Sequence, residues 1–195
     1  MAEVILKEKV TLERKEETVP FTFDERMEID LVWSSFTDLD LCLFWKTKDG
    51  NEGGVFSNEY NRNMDDLGSL DKFPFILHLR NEKKPRQGVE SYDKIKVKNI
   101  DAFSELYICV VNYEAAAEEY HTTFSRYYGR VEITTDEGDC VEIPMNAPEE
   151  GHVYLVCKID NSDPDNKVIN NEARVLSVGQ SFRQIPGFKL ICNTY

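Results

Sequence analysis

Apolar and polar residues alternate along most of the chain, and a period of two is typical of β-strands with one buried face. In the run from residue 38 to residue 45, one face carries Leu39, Leu41, Leu43 and Trp45. The other face carries Asp38, Asp40, Cys42 and Phe44. Leu106–Val111 is apolar on both faces, which predicts a central strand covered on both sides. The predicted strands are Val4–Leu12, Met27–Trp33, Leu39–Lys46, Phe75–Leu79, Ile95–Val97, Leu106–Val111, Gly129–Thr134, Cys140–Ile143, Val153–Ile159, Arg174–Val178 and Phe188–Cys192.

The segments between these strands carry turn and helix signals. Thr135–Asp139 contains Gly138 between two short alternating runs, which predicts a hairpin with glycine at a positive φ. Glu114–Tyr120 combines strong helix formers with early acids, which predicts one or two helical turns. We therefore predict one domain, residues 1–195, folded as an all-β, antiparallel two-layer sandwich with Trp33 and Trp45 in its core.

Composition and charge narrow the classes of function. Of the 195 residues, 41% are hydrophobic and 30% are charged, as in ordinary globular proteins. The 36 acidic residues outnumber the 23 basic ones, so the net charge is −13. A nucleic-acid-binding surface needs a basic stripe, so direct binding to nucleic acid is not expected. An acidic surface suits cations or basic partners, or serves solubility alone.

The sequence also predicts a location. Its longest apolar run, Leu106–Val111, is far shorter than the roughly 18 residues of a membrane span, so no transmembrane segment is predicted. Met1 leads into a mixed-charge stretch, which does not resemble a signal peptide. The five cysteines show no C-x-x-C spacing and lie mostly in apolar runs, which indicates reduced thiols. We therefore expect a cytoplasmic protein.

Catalytic motifs are weakly represented. The chain carries no G-x-S-x-G, P-loop, G-x-G-x-x-G or H-E-x-x-H pattern, and it has three histidines. His78 follows an apolar run near a strand end, which favours a structural, hydrogen-bonded histidine. We therefore do not expect an enzyme. A sandwich enzyme that acts on carbohydrate through two carboxylates stays open as a less favoured alternative.

A calcium site is better motivated. Asp38 and Asp40 are two residues apart at a strand start, so their carboxylates fall on one face, and calcium takes six to eight oxygen ligands. The segments Asn81–Glu82 and Glu90–Asp93 could close around such an ion. EF-hand loops that would begin at residues 61 and 163 lack the required glycine and the final glutamate. The alternative is that both aspartates are solvated acids flanking a strand.

The order of several short motifs resembles the TerD family of tellurite-resistance and stress-response proteins, over roughly Ile29 to the C-terminus. The carriers are Trp33, Asp38–Asp40, Gly53–Asn58, His78 with Arg80–Glu82, and Asp93–Val97. The resemblance implies an antiparallel β-sandwich that binds calcium in acidic loops and acts in bacterial stress resistance. It also implies protein partners, in a membrane-associated stress complex, and no chemical reaction.

The departures from the family pattern fall on the residues that are expected to bind calcium. The family's W-D is Trp33-Ser34 here, its G-D-N is Arg80-Asn81-Glu82, and its G-D-D-E is Glu90-Ser91-Tyr92-Asp93. The expected calcium ligands are Asp38, Asp40, Asn81, Glu82, Glu90 and Asp93. Because each lost carboxylate removes charge and ligands, we expect a weakened site. The favoured hypothesis is a non-enzymatic stress protein that binds calcium, and the alternative is an interaction scaffold whose calcium site has decayed.

Overall fold

The computed structural model describes residues 9–23, 26–58, 62–80 and 88–192. Its strands are β1 Lys9–Thr11, β2 Thr18–Pro20, β3 Met27–Trp33, β4 Asp40–Thr47, β5 Glu52–Phe56, β6 Gly68–Ser69, β7 Ile76–Leu79, β8 Ser91–Val97, β9 Phe103–Val111, β10 Thr122–Thr123, β11 Arg130–Thr135, β12 Cys140–Pro144, β13 Glu150–Gly151, β14 Val153–Asp160 and β15 Val168–Leu176. The α-helices are α1 Tyr113–Ala117 and α2 Val178–Gln184, and 3-10 helices cover Arg62–Met64, Phe124–Tyr127 and Phe188–Cys192.

The described strands form two large sheets and one small one. The seven-stranded sheet has the order β1-β12-β11-β3-β8-β7-β6, and the six-stranded sheet has the order β2-β15-β14-β9-β4-β5. The small sheet pairs β10 with β13. These pairings are antiparallel except that of β1 with β12, which is parallel. The first part of the predicted strand Val4–Leu12 lies outside the described residues.

Apolar side chains from both large sheets meet in one core. Ile29 of β3 and Leu41 and Leu43 of β4 have no solvent exposure and belong to the same cluster of buried residues. Trp33 and Trp45 join that cluster at 1% and 5% exposure, as the alternation predicts. Burying each such side chain contributes roughly 1.5–3 kcal/mol. The all-β, two-layer sandwich predicted from the sequence is confirmed.

The six-stranded sheet is covered on its second face as well. There Phe44 and Cys109 form a second apolar cluster with Tyr113 of α1 and with Ile185 and Phe188 of the C-terminal segment. The Phe44 and Phe188 ring centroids are 5.3 Å apart. This cover explains why β9, in the middle of the sheet, is apolar on both faces, and it confirms the prediction made from Leu106–Val111.

The outer face of the seven-stranded sheet is charged instead. Lys94 of β8 contacts Glu28 and lies 3.3 Å from Asp30, both on the adjacent strand β3. Lys96 lies 3.2 Å from Glu28. Because these ion pairs are partly exposed to solvent, each contributes only about 0–1 kcal/mol, and this face adds little to the stability of the fold.

The C-terminal segment differs from the prediction. Phe188–Cys192 was expected to be a strand, but it forms a 3-10 helix, and the prediction is wrong there. Its buried residues, Phe188 and Ile191, are three positions apart, which matches a 3-10 turn rather than a strand. Ser177 ends the preceding strand by capping α2, since its Oγ accepts from Gln180 N and Gln180 Oε1 accepts from Ser177 N.

Two shorter elements agree with the sequence. The β11–β12 hairpin closes through Thr135 N to Asp139 O at 3.0 Å, with Gly138 at φ +83°. Helix α1 begins within one residue of the predicted helical segment and is capped by Asn112.

Helices α1 and α2 contain five and seven residues, and no helix among the described residues approaches the roughly 20 residues needed to span a bilayer.

Candidate functional site

Two aspartates lie where the chain enters β4. Asp40 is the first residue of the strand and is 6% exposed, while Asp38, in the connection from β3, is half-buried. Burial raises the pKa of the Cys42 thiol and of the Tyr113 hydroxyl, and the charge of nearby Asp40 raises both further. The start of β4 is therefore a weakly hydrated region that contains a carboxylate.

Asp38 is close to a third carboxylate. Burial raises the pKa of Asp38, and the charge of Asp93 raises it further. Arg62 and the backbone N–H of Leu39 act in the opposite direction. Because burial and a like charge both disfavour the ionised form, positive charge at this point would stabilise the Asp38 carboxylate.

Asp93 and His78 join the two large sheets at the edge of β4. The pairing of β4 with β5 ends at Cys42 and Phe56. One residue earlier, Leu41 N donates to Asp93 Oδ2 at 3.0 Å, and His78 Nε2 donates to Leu41 O at 2.9 Å. Two side chains from β7 and β8 of the seven-stranded sheet thus bind the backbone groups of Leu41 beyond the end of β5. We call this contact the Leu41 clamp.

The clamp uses most of the acceptor capacity of Asp93. Its Oδ2 also lies 3.3 Å from His78 Nε2, and its Oδ1 accepts from Lys94 N at 3.1 Å. Asp93 is 4% exposed and His78 is 2% exposed. The contact with the Leu41 carbonyl places a proton on His78 Nε2, so this histidine is buried and hydrogen-bonded, as the sequence suggested.

Two guanidinium groups lie at the same end of the sandwich. Arg62, on a 3-10 helix, contacts Ser57 Oγ, and its charge acts on Asp38. Arg80, directly after β7, contacts Asp65. The other Asp65 oxygen accepts from the backbone N of Asn58 at 2.5 Å. The protein therefore supplies cations of its own to this acidic region.

The remaining predicted ligands lie elsewhere or outside the described residues. Glu90 is exposed, accepts from Tyr92 Oη at 2.6 Å and lies 3.0 Å from Arg130 Nη1. These two hydrogen bonds lower the pKa of Glu90. Asn81 and Glu82 are outside the described residues. Among the described residues, no three His, Cys, Asp or Glu side chains converge into a metal-binding group.

Three of the six predicted residues, Asp38, Asp40 and Asp93, lie near the start of β4, although their side chains do not converge into a metal-binding group. The charges of Asp40 and Asp93 both raise the pKa of Cys42, which places these two carboxylates in the same neighbourhood. We call Asp38, Asp40 and Asp93 the carboxylate cluster. The sequence analysis missed Arg62, because a single arginine in a polar loop carries no pattern that points to a distant aspartate.

The same arrangement of strands occurs in solved structures. The crystal structure of a homologue of the telluride resistance protein TerD from Streptomyces coelicolor A3(2) matches with a TM-score of 0.53 and 13% identity, covering 78% of this chain and 90% of that one. The chain has a TerD-like fold. SAV2460, a protein of unknown function, has the same fold, with a TM-score of 0.52, 12% identity and coverage of 78% and 92%.

The TerD-like fold confirms the resemblance seen in the sequence, at the level of the fold. No family model and no curated protein matches the sequence. At 12–13% identity the shared feature is the path of the backbone, so no individual ligand is carried over from these structures.

Proposed function

We propose that this chain is a non-enzymatic stress-response protein that acts by binding, with the carboxylate cluster as its cation site. The observation that supports the proposal is the electrostatic influence of Asp93 on Asp38, with Asp40 nearby, at one end of a TerD-like sandwich. Because these side chains do not converge, a bound ion would have to draw them together. One solved structure with this fold is described as a homologue of a telluride resistance protein, which supports a role in stress resistance.

Calcium is the cation that these side chains would suit. Asp38 and Asp40 offer carboxylate oxygens, which are the ligands that calcium takes. Burial and the charge of Asp93 make an ionised Asp38 unfavourable, and a divalent ion would relieve that repulsion. Asn81 and Glu82, which the sequence analysis also predicts as ligands, directly follow Arg80 in the chain. When bound, the ion would add positive charge that holds the acidic segments together.

Two features weaken such a site. Asp93 already accepts hydrogen bonds from Leu41 N and Lys94 N, so its oxygens are less available to a metal. Arg62 lies close enough to Asp38 to offset part of the rise in its pKa, and this fixed positive charge opposes a second cation. We therefore expect calcium binding at the weak end of the range for protein calcium sites, with a Kd of about 10⁻⁴–10⁻³ M.

The arginines also support a second candidate function. If Arg62 and Arg80 supply all the positive charge that the acidic region needs, the fold would serve as an interaction scaffold without an ion. Such a scaffold would bind its protein partner equally well with and without calcium. The two candidates therefore differ in one measurable property, which is the response of the start of β4 to calcium.

Calcium is expected to change the fluorescence of Trp33. The Trp33 indole donates to Thr37 O at 2.9 Å, so movement of the connection that carries Asp38 alters its surroundings. A Trp45→Phe variant leaves Trp33 as the single reporter. In that variant we expect a saturable change with added calcium that chelator reverses and that Asp40→Asn abolishes.

Matched variants make this titration decisive. Asp165→Asn removes a carboxylate from an exposed loop, and it is expected to leave the titration unchanged. Arg62→Gln is expected to tighten calcium binding severalfold, because it removes the competing charge. If the fluorescence does not change with calcium and calorimetry detects no heat of binding, the calcium-binding function is wrong and the interaction scaffold is favoured. Turnover of a glycosidase or esterase substrate, abolished by one carboxylate substitution, would overturn the non-enzymatic assignment.

A further inference from the structure

A pair of histidines lies at the small β10–β13 sheet and contains none of the residues of the carboxylate cluster. In that sheet Thr122 faces Gly151 and Thr123 faces Glu150. One step beyond the Thr122–Gly151 pair, the same antiparallel register places His121 opposite His152. The two imidazole centroids are 4.8 Å apart, with an angle of 86° between the ring planes. Directly facing residues of this kind are the closest side-chain neighbours that two strands offer.

His152 is buried, and its ring has one weak backbone partner. The residue is 8% exposed, the backbone of Tyr120 interacts with its ring, and no other group among the described residues hydrogen-bonds to Nδ1 or Nε2. Its backbone is held firmly, because His152 N donates to Leu176 O at 2.9 Å and His152 O accepts from Asn112 N at 3.0 Å. A buried imidazole that is oriented by a backbone group on one nitrogen keeps the other nitrogen available, and this is the usual arrangement of a metal-binding histidine.

His121 provides the access that His152 lacks. His121 is exposed at the surface, so an ion can approach the pair from solvent on that side. Glu118 and Glu119 precede His121 in the chain, and Glu149 and Glu150 precede His152. Burial and the neighbouring His121 lower the pKa of His152 more than the Tyr120 backbone raises it, and a neutral imidazole is the form that binds metal.

The spacing of the rings also suits a shared ion. Two imidazoles bound to one tetrahedral ion at about 2.0–2.1 Å have ring centroids about 5 Å apart. The observed 4.8 Å separation is close to that value, so the distance between the two rings is compatible with a shared ion. Imidazole ligands favour zinc, copper and nickel over calcium and magnesium.

We propose that His121 and His152 form a binding site for a divalent transition-metal ion, with the two imidazoles as its protein ligands. Among the described residues no third His, Cys, Asp or Glu completes a group with this pair, so water fills the remaining positions. A site with two protein ligands and open positions exchanges its ion readily. It differs from the carboxylate cluster in ligand chemistry, since its ligands are imidazoles rather than carboxylates.

The test uses the full chain, titrated with Zn²⁺ by calorimetry under reducing conditions. We expect one site whose affinity falls at least tenfold in His121→Ala, a substitution at an exposed position that leaves the buried core intact. Tyr120→Phe, at the adjacent residue, is expected to bind Zn²⁺ as the unchanged chain does. Cu²⁺ is expected to bind more tightly than Zn²⁺, and Mg²⁺ is expected not to bind at this pair.

A spectroscopic measurement keeps the test independent of folding defects. In imidazole NMR spectra, Zn²⁺ is expected to shift the signals of His121 and His152 together, while His78 in the Leu41 clamp stays unchanged. Equal Zn²⁺ affinity in His121→Ala, or a shift of His78 without the other two, would overturn the proposal. Zinc binding that persists in Asp40→Asn would support this site whatever the outcome of the calcium titration.

Discussion

Replacing Phe188 with alanine is expected to lower the free energy of unfolding by about 3–5 kcal/mol, the range for large aromatic-to-alanine changes in a packed core. Phe188 is fully buried, and its ring lies 5.3 Å from Phe44 and 5.8 Å from Phe182. Its removal leaves a cavity between the C-terminal segment and the outer face of the six-stranded sheet. Urea unfolding followed by circular dichroism measures the change.

A neighbouring leucine provides the control for that experiment. Leu190 lies in the same 3-10 helix but is 39% exposed, so Leu190→Ala is expected to cost about 1 kcal/mol or less. Equal destabilisation by the two substitutions would contradict the packing described for Phe188. Because the six-stranded sheet is covered on both faces, we also expect Phe188→Ala to increase binding of a hydrophobic dye to the exposed sheet surface.

Replacing Asp93 with alanine is expected to cost about 3 kcal/mol or more of stability, because it leaves buried donors without acceptors. Leu41 N and Lys94 N would both lose their hydrogen bonds to the carboxylate, and His78 would lose a neighbouring charge. Asp93→Asn keeps one carbonyl oxygen and is expected to cost less than the alanine variant. Thermal and urea unfolding measure both changes.

The same substitution is expected to alter the titration of Asp38. Since the charge of Asp93 raises the pKa of Asp38, its removal in Asp93→Asn lowers that pKa, while burial continues to act in the opposite direction. Carboxyl NMR titration detects the shift. As a control, Asp165→Ala in an exposed loop is expected to change stability by no more than about 0.5 kcal/mol. An unchanged Asp38 pKa would contradict the carboxylate cluster.

Much of the fold could be predicted from local pattern. The bounds of β3, Met27–Trp33, agree with the predicted strand, because its alternating residues leave one choice of buried face. The predicted β4 begins one residue early and ends one residue early. The hairpin at Thr135–Asp139 followed from its glycine. These features depend on neighbours within a few positions along the chain, so no knowledge of the tertiary structure was needed.

Other elements were missed for identifiable reasons. The capping box of α2 was present in the sequence as Ser177 and Gln180, three residues apart, and it would have separated this helix from the preceding strand. Strand β5 was harder to find, because Gly53 and Gly54 are weak strand formers. A Cβ at Gly53 would lie 2.5 Å from the Trp45 ring, so the aromatic residues of the adjacent strand require glycine there.

For the candidate site, the sequence predicted Asp38 and Asp40 on one face from their two-residue spacing at a strand start, but β4 begins at Asp40 and Asp38 lies in the connection before it. Only the tertiary structure decided that Asp93 and His78 reach the backbone of Leu41, because these residues are 52 and 37 positions away from it. Likewise the register of β10 with β13 brings His121 to His152. Alternation specifies which face of a strand is buried, whereas the choice of neighbouring strand depends on packing across the whole molecule.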